Sequence, residues 1–275
     1  MCQRSATPFN VSVAATIAVA IRAIEKGSSI RLDELVSERS MVISFVNAHA
    51  VNLACDDAKF FRALTSADLL LRDGLGAQIL MRAIGRRPGV NMNGTDFIPQ
   101  ILYANKSIPI ALYGSSADVA ATVAAKLRSE GVTQVTHCNG YQTLEHYLLK
   151  VERDRPRIVV LGMGMPKQEF IADAIIKAST HPILVINGGA ILDFMSGHIK
   201  RAPASLRRFG LEWVFRFCLE PRRLWRRYII GNVIFLARAC VAVRYYRLNE
   251  RQFPDSGRGT DGCVANKRRA PTGDP

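Results

Sequence analysis

Several familiar signatures are missing from this chain. Its six cysteines (Cys2, Cys55, Cys138, Cys218, Cys240, Cys263) form no CxxC pair and have no histidine at ligand spacing. That points away from a disulfide framework or a zinc site and fits a reducing cytosol. The five histidines are equally dispersed, and none draws a role. There is no Walker A sequence, and GMGMP at 162–166 is not a G-x-G-x-x-G fingerprint, so a nicotinamide cofactor is not expected. No D-x-D motif occurs; Asp56 and Asp57 are adjacent and fall inside a helical pattern. No run reaches the 18 or so uninterrupted apolar residues of a membrane span. The uncharged stretch 5–21 mixes Thr, Ser and Asn with Ala, so it reads as an ordinary first helix rather than a cleaved leader. Negative charge is scarce in the C-terminal third. Residues 1–194 carry 20 Lys/Arg against 17 Asp/Glu, whereas residues 195–275 carry 17 against 6. A polyanionic partner is therefore expected for that third, nucleic acid or an anionic membrane surface. No nucleic-acid-binding motif accompanies the charge, which favours the membrane.

What the chain does have is alternation. Short apolar runs at 41–46, 67–71, 108–114, 133–138, 157–162 and 182–187 read as strands. Helix-length amphipathic stretches at 51–66, 74–85, 116–130, 142–152 and 166–179 lie between them. Near-continuous apolar strands alternating with helices predict an α/β protein with a Rossmann-like, doubly wound, mainly parallel sheet. After about residue 197 the strand signals stop. Three regions are expected: an α/β core over 1–197, a basic amphipathic helical appendage over 198–250, and a disordered tail over 251–275.

In an open α/β sheet, ligands bind beyond the carboxyl ends of the strands. The predicted strands are followed by Asn47, Asp73-Gly74, Gly114-Ser115, Asn139-Gly140, Gly162-Met163-Gly164 and Asn187-Gly188-Gly189. Together these small and polar residues favour a nucleotide or sugar-nucleotide site, since glycine lets backbone N–H groups approach a phosphate. Asp73 fits two roles equally well: a base for a sugar hydroxyl, or the N-cap of the helix that begins GLGAQIL.

The segment GLEWVFRFCLEPRRLWRRYIIG (210–231) holds both tryptophans of the chain and five arginines. Placed on one helix, Val214, Phe217, Leu224, Trp225 and Ile229 share a face opposite Arg216, Arg223, Arg226 and Arg227. Such a helix either packs on the α/β core or lies in a membrane interface. Pro221 is positioned to start a second helix and rotate the two halves. The following YIIGNVIFLA has ten uncharged residues before Arg238, too few to span a bilayer.

Over residues 40–230 the chain resembles the WecG/TagA/CpsF family of bacterial glycosyltransferases. The resemblance is carried by ADLLLRDGLG (67–76), NGTDF (93–97), VVLGMGMPKQEF (159–170), NGGAILDFMSG (187–197) and RAPASLRRFGLEWVFRFCLEPRRLWRRY (201–228). It implies inverting transfer of a sugar from a UDP-sugar to a polyprenyl-diphosphate-linked sugar, with no cofactor and no required metal. The setting it implies is the cytoplasmic face of the cell membrane, with the protein peripheral to it. It makes Asp73 the catalytic base and puts Asn47, Thr95, Asp96, Gln168 and Glu169 near the substrates, beside rim residues Gly74, Gly114, Gly140, Gly162, Asn187 and Gly188. Arg201, Arg207 and Arg208 become candidates to cover the donor diphosphate. Trp213, Arg216, Arg223, Trp225, Arg226 and Arg227 become candidates for the membrane. A homo-oligomer is compatible with this picture. Two departures stand out: Phe45-Val46-Asn47 lacks the family's frequent Thr, and Asn91 replaces a frequent Arg. Both point away from N-acetylmannosamine as the donor sugar and towards glucose from UDP-glucose in exopolysaccharide synthesis. The competing reading is a non-catalytic basic α/β protein that binds membrane or nucleic acid.

Overall fold

The computed structural model describes residues 8–25, 35–36, 38–208 and 210–253. The tail expected to be disordered lies outside the described residues from 254 onward, as does the side chain of Arg208.

Six strands form one sheet: β1 (Met41–Val46), β2 (Leu69–Arg72), β3 (Ile110–Gly114), β4 (Val135–Cys138), β5 (Ile158–Gly162) and β6 (Leu184–Asn187). Their order is β2-β1-β6-β5-β3-β4 and every pairing is parallel. Five of the six strands are buried throughout, as strands covered on both faces must be; β4, at one edge, is half-buried.

The connecting helices are α1 (Pro8–Ala20), α2 (Ala48–Asp56), α3 (Ala58–Thr65), α4 (Gly74–Ala83), α5 (Gly94–Ala104), α6 (Ala117–Ser129), α7 (Leu144–Asp154), α8 (Lys167–Ala178) and α9 (Ile191–Met195). Side-chain alternation assigns them to faces. Ile43, Phe45, Leu112, Val160 and Ile186 pack with α5, α6 and α9. Val42, Val46, Tyr113, Leu161 and Val185 pack with α1 to α4, α7 and α8 on the other side.

Two elements differ from expectation. The stretch 51–66 is two helices, because Asp57 leaves helical geometry (φ −131°, ψ 106°) and its carboxylate accepts from Lys59 N and Phe60 N to cap α3. The acidic pair therefore spans a helix break. Helix α5 gave no sequence signal because Pro99 sits inside it, where it forfeits a backbone donor.

Beyond the sheet, the chain continues as α10 (Ala204–Arg208), α11 (Glu212–Leu219), α12 (Pro221–Trp225), a wide π-type turn (Arg226–Ile230) and α13 (Gly231–Leu248). Glu220 (φ −134°, ψ 59°) breaks the path and Pro221 opens the new helix, as its fixed φ favours. From Pro221 to Leu248 the backbone is one helical run of 28 residues, long and apolar enough to cross a membrane by length and composition. The ten-residue apolar run read from sequence thus belongs to a longer element. One side of α13 joins the core: Phe235, Ala239 and Ala242 are buried against Val13, Ile17, Ala50 and Ala54 of α1 and α2. Small residues on both sides let these helices approach closely.

Phe235→Ala is expected to cost about 3–5 kcal/mol. Val233→Ala, whose side chain faces outward, should stay within about 0.5 kcal/mol of wild type. Urea midpoints at constant m-value measure both.

Candidate active site

The loops leaving β1 and β5 turn to α2 and α8 on one face, whereas the loop leaving β6, between them, turns to α9 on the other. The chain ends therefore part beside β6 and open a crevice at the carboxyl edge of the sheet. Asn47, Gly162 and Asn187-Gly188-Gly189 lie at that edge, with Asp73 beyond β2.

Asp73 is held by its backbone, whose N–H bonds Val46 O at 2.9 Å. It stands at the N-cap position of α4, yet its carboxylate makes no capping bond. Instead Asn91 Oδ1 accepts from Gly74 N at 2.8 Å. Of the two roles that the sequence leaves open, capping is not the one realised. Gly74 turns the chain at φ 80° with open space where a Cβ would stand, a conformation that strains any other residue. Asn47 caps α2 through Oδ1 (Ala50 N, 3.1 Å), and its Nδ2 donates to Asp73 Oδ2 at 3.4 Å.

Asp73 as a whole residue is half-buried, and protein surrounds its carboxyl group. That burial raises its pKa above the ordinary carboxylate value. The Asn47 bond and the positive charges of Arg227, Arg216 and Arg72 pull the other way. Arg72 is fixed behind the site by bonds to Pro88 O, Gly89 O and Gln78 Oε1 at 3.0 to 3.1 Å. Arg216 and Arg227 come from α11 and the wide turn, so the C-terminal segment covers this side of the crevice.

A second cluster ties that segment down. Asn93 caps α5 and donates Nδ2 to Asp96 Oδ2 at 2.9 Å, while Arg201 pairs with Asp96 Oδ1 at 2.6 Å and Arg207 approaches it at 3.7 Å. Burial pushes the Asp96 pKa up, but these bonds and charges outweigh it and hold the carboxyl below its usual value. Asp96, Arg201 and Arg207 thus engage one another and strap the chain after β6 onto α5. Thr95 is half-buried in the same first turn of α5.

Glu212, between the two clusters, was not singled out from sequence. Its pKa is raised by burial, with Arg201 and Arg216 lowering it and Asp73 and Asp96 raising it. The available signal was its being the sole acid between Lys200 and Leu219. His49, at the start of α2, is held neutral: burial and then Arg227 lower its pKa to about 4.

Gln168 is spent inside the protein. Its Oε1 accepts from Gly189 N at 2.9 Å and its Nε2 donates to Glu169 Oε1 at 2.8 Å, which fastens the turn after β6 to α8. Burial raises the Glu169 pKa to about 7 against the pull of the Gln168 bond. Asn187 Nδ2 donates to the buried Ser44 Oγ at 2.8 Å. The rim glycines also serve packing. A Cβ on Gly114 would collide with the Gly162 backbone, one on Gly140 would crowd Gly114, and one on Gly162 or Gly188 would meet Leu192 or Ile191. A shallow apolar pocket of about 370 Å³, lined by Leu144, Pro166, Lys167, Phe170 and Ile171, belongs to the α7–α8 surface rather than to this crevice.

The aromatic and arginine residues of 213–227 divide into two sets. Trp213 packs on Tyr228 (5.8 Å between centroids), and Arg216 lies over the Phe194 ring at 5.3 Å. Arg227 lies over Tyr228 at 5.7 Å, with its Nε buried and unpartnered. Arg223, paired with Glu220, and Arg226, over the Trp225 ring, are exposed, as is Trp225.

Residues 15–250 match the model of the WecG/TagA/CpsF glycosyl transferase family. The chain belongs to this family. It is also similar to two curated N-acetylglucosaminyldiphosphoundecaprenol N-acetyl-β-D-mannosaminyltransferases. That of Bacillus subtilis (strain 168) is 32% identical over 191 residues, 68% of this chain and 74% of the relative. That of Bacillus spizizenii (strain ATCC 23059 / NRRL B-14472 / W23) is 28% identical over 179 residues, 63% of this chain and 69% of the relative. Among the described residues of this glycosyltransferase, no group of three His, Cys, Asp or Glu is arranged to hold a metal ion.

The Glu169 carboxyl gives a stability test. Its folded pKa of about 7 lies above the ordinary 4.5, so the folded state binds the proton more tightly and stability falls as pH rises between those values. The fall should be about 3 kcal/mol. Glu169→Gln should flatten it, as measured by urea unfolding across pH 4–8.

Proposed function

We propose that this glycosyltransferase moves a hexosyl group from a UDP-sugar to an undecaprenyl-diphosphate-linked sugar in one inverting step. The carrying observation is Asp73: a carboxylate at the crevice, free of capping duty, with arginines of the C-terminal segment around it. In this reading Asp73 accepts the proton of the acceptor hydroxyl as that oxygen bonds the anomeric carbon. The bond from that carbon to the UDP oxygen breaks, and the electron pair leaves on the diphosphate. Arg216 and Arg227 supply positive charge as negative charge moves to the leaving group. Arg227 suits this part because its Nε is buried with no partner, a donor that an arriving anion would satisfy. Transfer should need no divalent ion.

The acceptor follows the named relatives, which act on a diphosphoundecaprenol-linked N-acetylglucosamine. For the donor we favour glucose in exopolysaccharide synthesis, on the two departures from the family pattern, of which Asn91 adjoins Asp73 and Phe45 lies in the core two residues before Asn47. Phe45 packs edge-on to Phe97, and Asn91 holds the Gly74 amide beside Asp73.

The acceptor is a lipid, which suits the outer surface of the C-terminal helices. Trp225, Ile229, Ile230, Val233 and Leu236 are exposed, with Arg222, Arg223 and Arg226 beside them. Such a surface partitions into a membrane interface, each arginine near anionic headgroups adding about 1 kcal/mol. Since the opposite side of α13 packs on α1 and α2, the helix lies along the inner face of the cell membrane, and the protein is cytoplasmic and peripheral.

Mass spectrometry of the lipid-linked product, with a panel of UDP-sugars and excess chelator, tests the reading. A mass gain of one hexose is expected. Asp73→Asn should lower kcat by about 10²- to 10⁴-fold. Turnover near wild type in that variant would remove Asp73 from the base role.

A further inference from the structure

The wide turn at Arg226–Ile230 joins two helix halves with different tasks. Its defining bond runs from Gly231 N to Arg226 O, five residues back rather than four. A turn of this kind inserts one residue and rotates the downstream helix by about 100° relative to an unbroken α-helix. The rotation reconciles two demands: Arg227 faces the Asp73 crevice, while Phe235 and Ala239 face α1 and α2.

The end of the turn is held from outside. Asn52, buried on α2, donates Nδ2 to Gly231 O at 2.7 Å. Arg238, two turns along α13, donates NH1 to Asn52 O at 2.8 Å and to Asn52 Oδ1 at 3.3 Å, while its NH2 pairs with Asp56 at 2.5 Å. The other end of α2 is capped by Asn47, whose amide touches Asp73. One short helix therefore carries Asp73's hydrogen-bond partner at its start and the fastening of the Arg227 turn further along.

From this geometry we infer that Asn52 and Arg238 are positioning residues for the transfer reaction: they clamp the wide turn to α2 and so hold Arg227 in place on the Asp73 side of the crevice. The inference builds on the reading of Asp73 as the base. Neither residue touches the crevice itself; both act through Arg227.

Asn52→Leu tests the clamp without adding charge, since it removes the donor to Gly231 O and leaves the backbone carbonyl of residue 52 as an acceptor for Arg238. Arg238→Met removes the other arm. Two readouts separate the clamp from the chemistry. The first is hydrogen exchange at amides 226–231, expected to quicken about tenfold in either variant while strands β1 and β6 keep their protection. The second is the acid limb of kcat/KM against pH. Asp73 is faced by Asn47, Arg72, Arg216, Arg227 and Glu212, and Arg227 favours its ionised form. Moving Arg227 away raises the pH at which Asp73 ionises, so the limb should move up by about half a pH unit or more. In an Arg227→Met background, Asn52→Leu should add no further shift. Unchanged exchange at 226–231, or an equal limb shift without Arg227, overturns the clamp. Faster exchange with a limb that Arg227→Met does not move contradicts the base assignment while leaving the fastening of the turn intact.

Discussion

A carboxylate enclosed by protein must either take up a proton or find positive charge, and Asp73 is poised between these outcomes. Enclosure at the end of β2 favours the neutral acid, while one amide and three arginines favour the anion. Two of those arginines are not part of the α/β domain. Arg216 and Arg227 arrive from beyond the sheet, so the protonation state of the crevice depends on how residues 212–248 pack. The buried contacts of Phe235, Ala239 and Ala242 on α1 and α2 are consequently as much a part of the site as the strand ends.

This arrangement builds one wall of the crevice and an exposed apolar surface from one segment. From Pro221 to Leu248 a single helical run shows an exposed apolar side, a side packed on the core and, through its wide turn, an arginine aimed at Asp73. Under the proposed function, an acceptor held in a bilayer would meet Asp73 at the edge of the element whose apolar side is exposed. The strap formed by Arg201 and Arg207 on Asp96 keeps the start of the segment against α5.

All six strands lay within or beside the apolar runs read from sequence, because strands buried on both faces are nearly continuous in Val, Ile and Leu. The strand-end polar residues were legible for the same reason, since they mark where those runs stop. Helix α5 was hidden by Pro99, and Asp57 broke what periodicity presented as one helix. Sorting the arginines was beyond the sequence. On a single straight helix Arg216, Arg223, Arg226 and Arg227 share a face, but Glu220 breaks the path, and Arg216 and Arg227 are half-buried while Arg223 and Arg226 are exposed. Glycines read as phosphate contacts are required by backbone packing, as at Gly114 against Gly162. Gln168 and Asp96 lie by the crevice, yet their polar atoms are engaged by protein partners.

The electrostatic dependence of Asp73 on the C-terminal segment is the claim on which the site's chemistry rests. Titration of the Asp73 carboxyl carbon by NMR in the substrate-free protein measures it directly. The midpoint is predicted to lie above the ordinary aspartate value and to move further up when Arg216 and Arg227 are both replaced by methionine. A midpoint at or below the ordinary value that ignores both replacements would contradict that dependence.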